Sequence, residues 1–450
     1  MEIREMKKIL IAALLAACLT IASNAGFAQE SEDSDQENDT AAEEERESEK
    51  TLEDLGDIVV SATKLETPSR EVGSSLSVIT REQIEQRQAR SVSEVLRTVP
   101  GLDVVRSGGP GQTTSVFMRG AKSEHTLVLI DGVEMNDPIS PGRSFDFANL
   151  TTDNIERIEV LRGPQSTLYG SDAMGGVINI ITKKGEGEPG GFVSAEAGSF
   201  STFRERAHAS GSYKWLDYSL GFSRLDTDGI SAAEEDAGND EEDGYGNTSL
   251  SARLGVTPTE MFNVDTIVRY TDALVDLDNF GGVGGDDPNH ELDKEEWFLR
   301  TQAQLSLFDD LWEQELGFSL TDHERGVRND TDLAHPNSLT VSDFDGQIVQ
   351  FDWQHNLYLH ETNTLTLGAE TEEERGESHF FSQSAFGTTS TTLDEETART
   401  NSAYIQDQVR LWNSFFTTLG VRLDDHEDFG SETTYRVAPA YLFEETGTKI

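Results

Sequence analysis

Among 450 residues there is one cysteine, Cys18, so the chain can close no disulfide within itself. Long apolar runs are missing too. The only sizeable one, Ile9 to Ile21, falls short of the roughly 20 apolar residues a membrane-spanning helix requires. Positive charge is scarce: 35 Lys and Arg face 84 Asp and Glu, a net charge of -49. That balance excludes nucleic acid as a partner, because binding phosphates needs the opposite sign. Apolar residues make up only 35% of the chain, and the mean hydropathy is -0.49. Both values are poor for two water-soluble cores. Marks of an enzyme are also lacking. The 9 histidines show no metal-ligand spacing and no serine sits in a Gly-x-Ser-x-Gly elbow.

What is present begins with an export signal. Arg4, Lys7 and Lys8 precede the apolar run, and Gly26-Phe27-Ala28 follows it with small residues at the -3 and -1 positions. This pattern predicts a signal peptide over 1–28, cleaved after Ala28. Leu15-Ala16-Ala17-Cys18 also matches a lipobox, the alternative in which Cys18 is lipidated. Residues 29–56 are Glu, Asp, Ser and Gln with almost nothing apolar. Such a leader cannot bury enough surface to offset chain entropy, so disorder is expected. It ends abruptly at a β-branched island, Asp57-Ile58-Val59-Val60-Ser61-Ala62-Thr63.

Residues 64–190 read as one compact α/β domain. Thr80, with Gln83 in the capping-box position, predicts a short helix through Gln88. A second helix is expected from Val92 to Thr98, stopped by Pro100-Gly101. Apolar runs at Thr126–Ile130, Ile155–Leu161 and Val177–Ile181 predict strands.

After Gly191 the pattern changes to alternation with period two. Twelve segments carry it, near 192–199, 201–211, 213–225, 247–256, 260–271, 295–308, 313–325, 348–361, 363–377, 400–413, 415–427 and 434–445. In the sixth, Trp297, Leu299, Thr301, Ala303, Leu305 and Leu307 face one way, while Arg300, Gln302, Gln304 and Ser306 face the other. Connections alternate between tight turns and long polar loops at 226–246, 272–294, 326–347 and 378–399. One apolar face for lipid, one polar face for a lumen, and loops long on one side only predict an antiparallel membrane β-barrel. A soluble sandwich has no reason to keep that rhythm.

Three motifs carry a family resemblance. The run from Arg162-Gly163-Pro164 through Tyr169-Gly170-Ser171-Asp172-Ala173-Met174-Gly175-Gly176 to Thr182 resembles the end of the plug domain in TonB-dependent receptors of the outer membrane. Phe117-Met118-Arg119-Gly120 and Leu127-Val128-Leu129-Ile130-Asp131-Gly132-Val133 resemble the plug motifs upstream. The resemblance implies a plug within an outer-membrane β-barrel, and active transport with no enzymatic step. The barrel would lie in lipid and draw on TonB, an energised inner-membrane partner. Asp57 to Thr63 stands where the family keeps its TonB box, and an extended peptide can add a strand to a partner's sheet. The alternative is a plain first strand of the plug. Arg119 and Arg162 lie in the two Arg-Gly motifs, and Leu365 to Glu370 resembles a strand whose acidic residues face the plug. Arg-carboxylate pairs inside the lumen, with Glu370 among the acids, would hold the plug while leaving it displaceable; the alternative is a solvated lumen charge.

For cargo, the plug motifs are most similar to the cobalamin-transporting branch. That resemblance directs the loops near Gly109–Thr114 and Asn136–Ser144 at cargo, with Gly109, Gln112, Thr113, Asn136, Pro138, Ser140 and Ser144 as candidate contacts. It also implies Ca2+ in the second and third long loops. The candidate ligands are Asp226, Asp228, Asp240, Glu241, Asp243, Asp278 and Asp293, since Ca2+ takes six to eight oxygens. Solvated acidic loops are the alternative. A ferric-siderophore receptor is the alternative cargo reading, and a surface-binding barrel without transport is the alternative outside it. The family closes its barrel at about twenty-two strands. Twelve segments, and a last stretch Thr446 to Ile450 without a terminal aromatic strand, therefore lead us to expect further chain beyond 450.

Overall fold

The computed structural model describes residues 58–450 apart from 235, 237, 280–284 and 413. The expected signal peptide 1–28, the leader 29–56 and Asp57 of the β-branched island lie outside the described residues.

The chain opens with Ile58–Val59 (β1), paired antiparallel with Thr67–Pro68 (β2). The α/β domain follows with Ser75–Thr80 (β3), Leu102–Arg106 (β4), Thr114–Met118 (β5), Thr126–Ile130 (β6), Val133–Glu134 (β7), Ile155–Arg162 (β8) and Gly176–Thr182 (β9). Five of these form one sheet in the order β3-β8-β9-β6-β7, while β4 and β5 pair separately. Helix Arg81–Arg87 (α1) starts where Thr80 accepts from the Gln83 backbone N–H at 3.4 Å and ends at Gln88 in the left-handed region. Helix Val92–Leu96 (α2) is capped in the same way by Ser91. A short helix, Ser166–Tyr169 (α3), lies within the glycine-rich motif. There Gly176 sits at φ 150°, and a Cβ would come within 2.2 Å of the Leu161 carbonyl and 2.3 Å of Met118 Sδ. Only glycine fits that approach.

Thirteen strands make the second sheet: Gly190–Ala197 (β10), Phe203–Tyr213 (β11), Leu216–Ile230 (β12), Asp243–Thr259 (β13), Phe262–Asp276 (β14), His290–Leu307 (β15), Trp312–Asn329 (β16), Leu339–His360 (β17), Asn363–Ser384 (β18), Gly387–Leu411 (β19), Phe415–His426 (β20), Gly430–Phe443 (β21) and Thr448–Lys449 (β22). They pair in sequence order, each antiparallel to the next. All twelve alternating segments thus appear as strands, with the two-residue β22 added. The long connections are shorter than the sequence suggested, and 378–399 is no loop at all. β18 and β19 run through it to meet at 385–386. A tilted strand crosses a bilayer in about 9–11 residues, so the 25 residues of β19 continue well beyond the membrane. Its first eleven, Gly387–Thr397, are all exposed.

The sheet wraps the α/β domain, which fills it as a plug. The plug core packs Val92, Leu96, Met118, Ile158 and Ile178, each fully buried. Two residues of the barrel wall, Ile267 and Phe298, belong to the same core cluster. The wall therefore completes the interior of the plug.

Candidate functional site

The island after Asp57 is folded in. Val59, Ser61, Ala62 and Thr63 are buried. The Glu159 carboxylate, on β8, receives three donors on one oxygen: Val60 N–H at 3.0 Å, Ser61 N–H at 2.9 Å and Ser61 Oγ at 2.6 Å. Arg157 Nε donates to its other oxygen at 2.8 Å. Tyr169 Oη donates to the Ser61 carbonyl at 3.0 Å. From the barrel wall, Gln406 donates to the Thr63 carbonyl at 2.9 Å and Gln354 to that of Lys64 at 3.2 Å. Leu65 and Glu66 line a cleft with Glu361 and Thr362, so the segment lies at the short-turn end of the barrel.

The expected pairing of Glu370 is corrected. Arg162 ends β8 and donates within the plug, to Ser75 Oγ, Ser77 Oγ and the Pro100 carbonyl. Arg119 takes a left-handed turn beside Gly120 and lies close to Gly163. Neither arginine reaches Glu370. Its partners are Lys64, immediately after the island, and Arg422 of β20, whose Nη1 lies 2.8 Å away. Arg422 also reaches Asp424 at 2.7 Å and donates to the Leu168 carbonyl of the plug. Lys64 Nζ lies 4.7 Å from the Tyr404 ring centre and 5.1 Å from that of Tyr169. Lys64 and Glu159 carry no family-independent mark in the sequence. One is a lone base after the island, the other one of many acids.

At the opposite end, the plug loop 107–113 points toward the long loops. Gly111 there sits against Tyr245 and Val275, where a Cβ would clash at 2.4 Å. Gln112 folds back over Gly108. Gly109 has open space around it, and Thr113 is exposed. Pro138, Ser140 and Ser144 are half-buried. Asn136 is withdrawn from the candidate contacts because it is fully buried. Its amide receives Val128 N–H at 3.0 Å and donates to the Arg143 carbonyl at 2.9 Å, so it ties its own loop.

The seven candidate metal ligands separate into two groups. Asp226 pairs with Arg224 at 2.7 Å in solvent. Asp228, Asp240 and Asp293 are exposed. These four stand outside any cluster among the described residues. Glu241, Asp278 and Asp286 bring oxygens within 4.8 Å of one another, and Asp243 adjoins them. Each of the four has one buried oxygen without a hydrogen-bond partner: Glu241 Oε2, Asp243 Oδ1, Asp278 Oδ1 and Asp286 Oδ1. Backbone N–H groups hold the other oxygens of three: Ala233 on Asp278 at 2.6 Å, Glu241 on Asp286 at 3.0 Å and Ala232 on Asp243 at 2.5 Å. Burial, and then the neighbouring Asp243, Asp278 and Asp286 charges, push the Glu241 carboxyl up to about 7. These four carboxylates make a cage whose donors are oxygen alone, the kind of donor set that Ca2+ accepts. Asp286 was not singled out in the sequence. The doubled Asp286-Asp287 before a proline was its only signal.

Residues 68–177 match the model of the TonB-dependent receptor plug domain. The vitamin B12 transporter BtuB of Photobacterium profundum is 31% identical over 385 residues, 85% of this chain and 59% of the relative. That of Vibrio vulnificus is 38% identical over 231 residues, 50% of this chain and 36% of the relative. Among solved structures, the ferric yersiniabactin receptor FyuA of Yersinia pestis superposes with a TM-score of 0.65 at 17% identity, covering 83% of this chain and 63% of that one. Pseudomonas aeruginosa FpvA, bound to a ferric pyoverdine, gives 0.68 at 16% identity, over 86% and 57%. The chain thus spans about three-fifths of the length of the first two full-range relatives. The relatives are transporters and receptors. Residues 68–177 are thus a TonB-dependent receptor plug domain, and the chain around it is similar in sequence to vitamin B12 transporters and shares the plug-in-barrel fold.

Proposed function

We propose that this chain serves TonB-dependent uptake of cobalamin or a related corrinoid across the outer membrane. The observation that carries the cargo is the similarity to vitamin B12 transporters along 85% of the chain. The structures of siderophore receptors share the fold at 16–22% identity, which does not choose a cargo. Cyanocobalamin binding to the protein in detergent tests this. Tight binding of a ferric siderophore with none of cyanocobalamin would move the protein to the siderophore reading.

In this reading residues 57–63 are the segment TonB grips, and the carboxylate cage takes Ca2+. An ion there would join the loop at 231–242 to that at 277–289 and order both before cargo arrives. Binding free energies are reciprocal, so Ca2+ and cargo should raise each other's affinity by one factor, about 5–150-fold for ordinary couplings. Asp278→Asn should weaken cyanocobalamin binding by a factor in that range in calcium buffer and have no effect with a chelator present. Equal loss in both buffers would mean that Asp278 touches cargo or supports the fold.

A further inference from the structure

Next to the carboxylate cage along the chain stands a second constellation. Asp287 follows Asp286 in the β14–β15 loop and is 1% exposed. Asn329, at the end of β16, donates to Asp287 Oδ2 at 2.8 Å, and Asn279 donates to the same oxygen. Asn329 also donates to Asn279 Oδ1 at 3.1 Å, so the two amides are fixed together. Asp287 Oδ1 is buried with no hydrogen-bond partner. Across from this carboxylate, the β16–β17 loop presents Asp332 and His335. His335 Nδ1 lies 3.7 Å from Asp287 Oδ2 and 3.5 Å from Asp332 Oδ1. Donor atoms of all three residues fall within 4.8 Å of one another.

The 3.7 Å separation is too long for a hydrogen bond and the 3.5 Å one lies at its limit. They agree with a different geometry. Zn2+ bonds to imidazole nitrogen and carboxylate oxygen at about 2.0–2.2 Å, so two donors of a tetrahedral site lie roughly 3.4 Å apart. The observed 3.5 and 3.7 Å are within a few tenths of that edge. The donor chemistry points the same way. Two carboxylates and one imidazole suit a borderline divalent transition ion, whereas the neighbouring cage offers oxygen alone. Local structure supports the arrangement. The His335 backbone N–H donates to Asp332 Oδ1, which sets both donors on one turn of the loop. Asn279 and Asn329 orient the Asp287 carboxylate from behind, in the manner of outer partners around metal ligands.

We propose that Asp287, Asp332 and His335 form a second divalent-cation site, selective for Zn2+ or a similar transition ion, that clamps the β14–β15 loop to the β16–β17 loop. Two carboxylates with a neutral imidazole carry a charge that one such ion neutralises. Because Asp286 and Asp287 are adjacent, the β14–β15 loop would be held by a Ca2+ on one side and a transition ion on the other. This site stands independently of the cargo and of the Ca2+ reading.

The test uses the purified protein in detergent, stripped of metal and returned to saturating Ca2+ so that the oxygen cage is filled. Zn2+ is then titrated by calorimetry, and Co2+ is added separately to read ligand-field absorption. One Zn2+ per chain should bind, and Co2+ should give the absorption of a nitrogen-ligated, low-coordinate ion. His335→Gln and Asp332→Asn, both in the β16–β17 loop, should each weaken Zn2+ binding at least about tenfold. Both should leave Ca2+ binding within twofold. His360→Gln, at a short turn of the opposite end, should change nothing. Equal Zn2+ affinity in the unaltered protein and both loop variants would overturn the proposal, as would no Zn2+ binding at all. Loss of Ca2+ binding along with Zn2+ would also overturn it, since the two sites would then be one.

Discussion

Glu370→Ala should loosen the plug where it meets the barrel wall by about 3–5 kcal/mol, the usual cost of removing one member of a buried ion pair. Glu370 has 8% of its side chain exposed and stands between Lys64 and Arg422, at 20% and 6%. Alanine would leave two cations facing each other across a gap. Arg422 keeps Asp424 as a partner, so most of the penalty falls on Lys64. Its ammonium would retain only the Tyr169 and Tyr404 ring faces, each worth about 0.5–2 kcal/mol. The cheapest relief is for Lys64 to swing into water at the short-turn end and draw the preceding island after it. Limited proteolysis between residues 58 and 66, or mobility of a label at Leu65, would report that change. The paired variant Lys64→Met with Glu370→Leu separates charge from packing. Replacing both members by apolar groups of similar size is often neutral. If Glu370→Ala leaves the segment as protected as before, the pair is not what holds it. If the double variant is as loose as the single one, packing rather than charge is the tie.

The barrel strands were legible because each meets two different solvents. Where a strand crosses lipid its outer face must be apolar, so period two is enforced in the sequence. In β15 the rule is met at Arg300 and Phe298, which turn to the inner face, with Arg300 bonded to Asp352 and Phe298 in the plug core. Beyond the bilayer both faces of a strand meet water, and nothing imposes alternation. That is why Ser378 to Arg399, rich in Thr and Ser, reads as a loop yet continues β18 and β19. Composition reports the environment there, not the backbone. The plug helices were legible through local signals, the Thr80 cap of the first and the Pro100-Gly101 stop after the second. Strands β3, β4 and β5 were not anticipated, being only five or six residues long and interrupted by polar residues such as Ser77, Asp103 and Ser115.

Sites fared differently because they depend on register. Which acid among 84 meets which base is decided by pairings hundreds of residues apart. Glu370 pairs with Lys64 and Arg422, partners that follow from the neighbours of β18 and from where the chain enters the barrel. Arg162 was misassigned because its motif carries no statement of direction. It points along the exposed end of β8, toward Ser75 and Ser77. Asn136 was misassigned for a related reason. A polar residue in an apical loop looks available until its burial shows the amide spent on backbone groups. In the acidic loops, charge density marked the region, yet only folding separates Asp226 in its solvent pair with Arg224 from Glu241, Asp278 and Asp286 in the cage.

A second large effect is expected at Glu159. One of its oxygens accepts from Val60 N–H, Ser61 N–H and Ser61 Oγ, all in a buried place. Hydrogen bonds to an ionised group contribute about 1.5–3 kcal/mol each, and orphaned buried donors cost about 1–3 kcal/mol each. Those terms are not additive here, because the segment can escape to water instead of staying unsatisfied. Glu159→Ala should therefore favour the released form by about 3 kcal/mol, roughly a hundredfold in the opening equilibrium. Hydrogen exchange at the Val60 and Ser61 amides measures this directly. Glu159→Gln should fall between, since its amide keeps one acceptor but sets an N–H against Arg157. Val60→Pro offers the contrast. It also removes a donor to Glu159, so the segment should loosen, but proline cannot complete a ladder with a partner's sheet. If residues 57–63 are the coupling segment, Val60→Pro abolishes energised uptake while cargo binding at the cell surface persists. Glu159→Ala, with its segment donors intact, still transports. Transport surviving Val60→Pro would show that the partner grips elsewhere. Slow exchange at Val60 and Ser61 in Glu159→Ala would show that burial of Val59 and Ala62, not the carboxylate, keeps the segment folded in.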